Sequence, residues 1–117
     1  MKAKCNEIYL NVREQEGEQP KRFYPKIKFS YSHKVNDVQT IIKDYLLNSE
    51  NREVNEDHIQ LIKENGTRVK YKENVNIVEL IYDSNTISFE VLPYSLKQLG
   101  TNVIVKVHDY WENGCLN

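Results

Sequence analysis

Only one stretch of this sequence carries a helical period, and that limits the possible folds more than any other feature. In "VNDVQTIIKDYLLNSE" the apolar residues Val38, Ile41, Ile42, Tyr45 and Leu46 stand at i, i+3, i+4, i+7 and i+8, the stripe of one helix face. Asn36 suits the N-cap, and Asp37 suits the positively polarised first turn. The spacing predicts a helix over roughly Asn36 to Asn48. With no second amphipathic helix to pack against, its apolar face has to be buried on a sheet.

The segments around it supply that sheet. "NEIYLNVRE" alternates Ile8, Leu10 and Val12 against Tyr9, Asn11 and Arg13, the pattern of a half-buried strand. "EQEGEQPKR", with Gly17 and Pro20, has turn chemistry. "FYPKIKFSYS" alternates again, Pro25, Ile27, Phe29 and Tyr31 against Lys26, Lys28 and Ser30, and its proline places it at a strand start or a sheet edge. "TISFEVLP" sets Ile87, Phe89 and Val91 against Ser88, Glu90 and Leu92. "TNVIVKVHDYW" sets Val103, Val105 and Val107 against Ile104, Lys106 and His108. Both are predicted strands, whereas "KENVNIVELIYDSN" fits either a helical turn or an irregular extended crossing.

In "HIQLIKENGTRVKY" the pair Asn65-Gly66 is a strong hairpin signal, because the turn needs positive φ and glycine supplies it without steric cost. Ile59 to Lys63 should then be a strand. On a strand the neighbours Leu61 and Ile62 point to opposite faces, so only one can enter the helix-covered core. Ile62 is expected on the outward face, open to solvent or a partner, or covered by the added strand from Asn102 to Tyr110. Leu92 and Ile104 are expected outward as well.

The order strand, turn, strand, helix, short strands, strand resembles ubiquitin and ubiquitin-like domains. The likeness covers roughly Asn6 to Pro93 and is carried best by "HIQLIKENGTRVKY" and "LIYDSNTISFEVL". It implies an α+β chain of β-grasp type: a mixed sheet of four to five strands covered by one main helix. Residues 1–93 would form the core, with 94–117 a C-terminal strand extension and tail of the same domain. Ile62 matches the exposed isoleucine through which ubiquitin meets most partners. The first turn is charged where ubiquitin has a leucine, Glu90 stands where the last strand should offer a valine, and no C-terminal Gly-Gly pair is present. The resemblance therefore implies a non-conjugating module.

Composition narrows the functional classes. The 117 residues fit one domain, and 16 Lys+Arg against 17 Asp+Glu give a formal charge of −1, so no global field favours nucleic acid or an acidic membrane. No apolar run approaches a membrane span or a signal peptide, which makes a cytoplasmic or nuclear location the expectation. Cys5 and Cys115 are expected as free thiols in a reducing compartment.

Chemistry-bearing clusters are sparse. Cys5, His33, His58, His108 and Cys115 show neither zinc spacing nor a preorganised thiol–imidazole pair, and the four glycines form no phosphate loop. No cofactor, metal or catalytic residue is therefore assigned, and an enzyme is not expected. Lys26 and Lys28 on the second strand match in position the basic residues with which Ras-binding β-grasp domains meet a small GTPase, although edge lysines also discourage strand aggregation. Trp111, beside Tyr110, is a candidate anchor near the chain end.

The expected function is a non-catalytic interaction module or small adaptor subunit. Its protein partner would be bound through an outward sheet face around Ile62, Arg68, Glu90, Leu92 and Ile104, with no small-molecule substrate, no membrane and no nucleic acid. The alternatives are a permanent subunit of a large eukaryotic assembly and a Ras-association-like effector using Lys26 and Lys28.

Overall fold

Strands β1 (Glu7–Glu16) and β2 (Gln19–Ser30) pair antiparallel and turn at Gly17, whose φ of 65° is one that glycine takes without a side-chain clash. The computed structural model describes residues 6–83 and 85–99. Leu10 and Val12 point to the core, as the alternation predicts. In β2 the predicted face is interrupted. Leu10 pairs with Ile27 but Val12 pairs with Tyr24, so β2 carries one extra residue there, a β-bulge. Lys26 sits in it at φ 54°, and its N–H donates to Asn11 Oδ1 at 3.2 Å. The bulge shifts the phase of the strand. Tyr24 is buried in place of the expected Pro25, which is exposed, and Tyr31, just past the strand end, is exposed too.

Helix α1 spans Val35–Glu50. Its N-cap is Lys34 rather than the expected Asn36, and Asp37 Oδ2 accepts the Lys34 N–H at 3.0 Å. The helix closes at Asn51 in the left-handed region, φ 52°. Val38, Ile42 and Leu46 are buried, and Ile41 and Tyr45 pack at the margin, so the predicted stripe is the buried one.

Strand β3 (Ile59–Ile62) follows a short 3-10 turn at Glu56–His58. The Asn65-Gly66 reversal forms, with Gly66 at φ 90° and the Lys63 N–H donating to Thr67 O at 2.8 Å. Its return arm is a single bridge, Ile62 to Arg68, and not the second strand a hairpin implies. The ambiguous stretch contains a 3-10 turn at Ile77–Glu79 that buries Val75, Ile77 and Leu80 and leaves Val78 exposed. Strand β4 (Thr86–Val91) then pairs parallel to β1 and antiparallel to β3. The resulting order is β2-β1-β4-β3, a four-stranded mixed sheet with the main helix on one face: an α+β architecture.

The core lies between α1 and the inner sheet face. Leu10, Val12, Ile27, Phe29, Ile59, Leu61, Ile87 and Phe89 from the strands meet Val38, Ile42 and Leu46. Glu14 continues the inward alternation of β1 and is buried to 1% exposure. Its oxygens accept from Arg52, just past the helix, at 2.7 and 2.6 Å, and from the Tyr24 hydroxyl at 3.1 Å. Burial pushes the Glu14 carboxyl up, but the hydrogen bonds and charge of Arg52, with the Tyr24 hydroxyl, outweigh it and hold the group below the ordinary carboxylate value. Burial, together with the Glu14 charge and hydrogen bond, raises Tyr24 to about 12.

After β4 the chain forms a one-turn helix α2 (Leu96–Leu99). The Ser95 hydroxyl fastens it by donating to the Asp57 carboxylate. The expected strand from Asn102 to Tyr110 lies outside the described residues. Among those residues no helix is long and apolar enough to cross a membrane.

Candidate interaction surface

The outward sheet face was expected to be open, and it is filled. Gln60 and Ile62 of β3 and Thr86, Ser88 and Glu90 of β4 point away from the helix, beside Arg13 and Gln15 of β1. Arg68, bridged to Ile62, lies across this face. It pairs with Glu90 Oε1 at 2.6 Å and donates to Gln60 Oε1 at 3.1 Å and Gly17 O at 2.9 Å. The Gly17 N–H in turn donates to Glu90 Oε2 at 3.0 Å. Tyr82 covers the adjacent row: its ring stacks under the Arg13 guanidinium at 5.0 Å, and its hydroxyl accepts from Ser88 Oγ at 3.2 Å.

Consequently Ile62 is only 7% exposed, and the expectation that it stands open on this face is corrected. The reason is local. Tyr82 lies over the row that Ile62 shares with Ser88 and Arg13, and Arg68 bridges to the Ile62 backbone while its side chain lies over the next row, Gln60 and Glu90. Arg68 and Glu90 do meet on this face, but as partners of one another. Leu92 is also buried rather than outward. It clusters with Leu96, with Tyr71 and Tyr94 packed around them, and its N–H donates to His58 O at 2.8 Å. Ile104 and Trp111 lie outside the described residues.

Lys26 and Lys28 are placed differently. Both are exposed on β2, the edge of the sheet, together with Lys21 and Arg22. Lys28 makes only a loose pair with Glu7 at 3.5 Å, both side chains being at least half exposed. The 12-residue strand "QPKRFYPKIKFS" contains four basic and no acidic side chains. Phe23 projects from it on the outward face opposite Arg13, 58% exposed, and Tyr9, opposite Lys28, is 56% exposed. The sequence reading missed Phe23 because the bulge that turns Tyr24 inward and Phe23 outward is not written in the alternation.

Two other places gather polar and charged side chains. A cleft of about 550 Å³ lies between the first turn of α1, the loop through Val69–Val75, and Leu96. Many of its charged groups are engaged internally: Lys34 with Asn76 Oδ1, Glu73 with Lys63, and Asp57 with Ser95. The neighbours Asp57, His58 and Ser95 do not form a nucleophile relay. Ser95 donates to Asp57, while His58 Nδ1 faces Leu92 O at 2.8 Å, so the imidazole does not stand at the hydroxyl. Among the described residues no group of three or more His, Cys, Asp and Glu side chains is placed to hold a metal ion. No protein-family model matches the chain, and the search of curated proteins finds no match for it.

Proposed function

We propose that this chain is a non-catalytic, ubiquitin-like β-grasp module that binds a protein partner, and that the basic edge strand β2 is its contact surface. The β-grasp reading is supported by the order β2-β1-β4-β3, with a parallel central pair and one main helix on a single face. One observation carries the choice of surface. Lys21, Arg22, Lys26 and Lys28 stand exposed on a sheet edge, whereas Ile62 and Leu92 are buried and Arg68 and Glu90 are spent on each other.

Single-sign charge on one edge steers a partner of opposite sign and speeds its docking more than it tightens the complex. A small GTPase with an acidic sheet edge is one partner of this kind. A permanent place in a larger assembly is the second reading, favoured by the exposed aromatics Phe23 and Tyr9 beside the charges.

Capture of partners by the immobilised full chain, compared with the Lys26→Glu/Lys28→Glu variant, tests this. The wild-type partner should be lost in the variant, and should weaken severalfold between about 50 and 300 mM salt. Capture that survives charge reversal but is lost in Arg68→Ala would move the contact to the outward sheet face.

A further inference from the structure

The backbone of β2 restricts how anything can dock on it. The Tyr31 N–H donates to Asn6 O at 2.6 Å, so in an antiparallel ladder Phe29 and Ile27 also turn their backbone groups toward β1. Ser30 and Lys28 turn theirs outward, to the free edge. Both outward groups of Ser30 are already bonded: its N–H donates to His33 Nδ1 at 3.0 Å, and its carbonyl accepts the His33 N–H at 3.0 Å. Further back, the Lys26 N–H is held by Asn11 Oδ1, and Pro25 has no N–H. From residue 25 to residue 30 only Lys28 presents a free donor and acceptor together; past the bulge Phe23 and Lys21 turn outward again, so the free edge is interrupted there. An added strand needs several such residues at every second position.

Resting on the reading of β2 as the contact surface, we infer that its residues 25–30 take the partner side-on, through side chains and not by strand addition. The partner is an acidic protein segment that offers an apolar seat for the Phe23 ring. Lys26 and Lys28 meet its carboxylates, and Phe23, the large exposed ring on this strand, is the anchor. A second copy of the chain is a poor occupant, because the four basic residues of β2 would face the same four. Single-stranded nucleic acid fits less well too. Tyr9 and Phe23 are four residues apart in register along β1, about 13 Å at a strand's rise, too far for neighbouring bases to stack on both. Glu7, Glu16 and Glu18 also flank the strand.

The test is an NMR titration of the full chain with an acetylated, amidated heptapeptide of alternating glutamate and leucine, and with the same peptide N-methylated at alternate residues. Side-on docking predicts that both peptides shift the Phe23 and Lys28 signals and that their affinities agree within about twofold. It also predicts that Phe23→Ala weakens both about tenfold. Phe23 is exposed, so the variant's amide spectrum should stay dispersed. A loss of more than about tenfold on N-methylation, with the Lys28 amide newly protected from exchange, would establish strand addition instead. Unchanged binding by Phe23→Ala would remove the anchor while leaving the β2 surface standing. Tighter binding of a ten-residue oligothymidylate would overturn the choice of partner, as would binding of neither peptide. If Lys26→Glu/Lys28→Glu binds the peptides as the wild type does, the β2 reading itself fails.

Discussion

Glu14 and Arg52, 38 residues apart in sequence, meet in a two-bond ion pair at 2.7 and 2.6 Å that ties the end of α1 to the inner face of β1. The two partners differ in access to water. Glu14 is almost fully buried, whereas the Arg52 side chain is 28% exposed. Removing the arginine strands a buried carboxylate, which costs about 3 kcal/mol or more. Removing the charge of the carboxylate leaves a guanidinium that can still turn to solvent, about 1–2 kcal/mol. Urea unfolding should therefore rank Arg52→Ala as clearly less stable than Glu14→Gln.

The same pair sets a pH dependence. The folded-state pKa of Glu14 is depressed, so its contribution is fully present above the ordinary carboxylate value of 4.5 and is lost as pH falls through the lowered folded-state value. In Arg52→Ala burial, which raises the Glu14 pKa, is opposed only by the Tyr24 hydroxyl and the Lys21 charge. The difference in stability between wild type and variant should therefore shrink as pH falls from about 6 to 3, measured by thermal unfolding across that range.

Tyr24 gives a readout at the alkaline end. With its value raised to about 12, its contribution is complete below the ordinary tyrosine value of 10.0 and is lost as pH rises through about 12. A phenolate absorbance titration should show one of the chain's eight tyrosines ionising late, and Tyr24→Phe should remove that phase.

Ile62 separates two pictures of the outward face. At 7% exposure beside the Arg68 bridge, Ile62→Ala should cost about 2–3 kcal/mol in denaturant unfolding. A change below about 0.5 kcal/mol would mark an open surface position instead.

How far the sequence foretold this structure depends on whether the relevant force was local. The stripe of Val38, Ile42 and Leu46, the inward set Leu10 and Val12, and the reversal at Gly66 follow from periodicity and turn chemistry that a few neighbouring residues contain. Alternation places Pro25 on the core face because it cannot register an inserted residue, and the Asn11 side chain that stabilises the bulge lies on another strand. Ile62 does point away from the main core, but both it and Leu92 are buried. What covers them comes from elsewhere: Tyr82 over the row of Ile62, with Arg68 over the next, and Leu96 against Leu92. Glu14 could have been found, since it extends the Ile8, Leu10, Val12 series by one more inward step, and a carboxylate there calls for a cation. The basic β2 is legible as composition and its proline allows an edge position, which the order β2-β1-β4-β3 gives it.

NMR shift mapping of the full chain, free and bound to the partner it captures, tests the central claim most directly. The account predicts that the shifted signals concentrate on the Lys26, Lys28 and Phe23 side chains of β2, with the outward-face residues Gln60, Ser88 and Glu90 unchanged. Shifts confined to those three residues, with β2 as in the free chain, would contradict it.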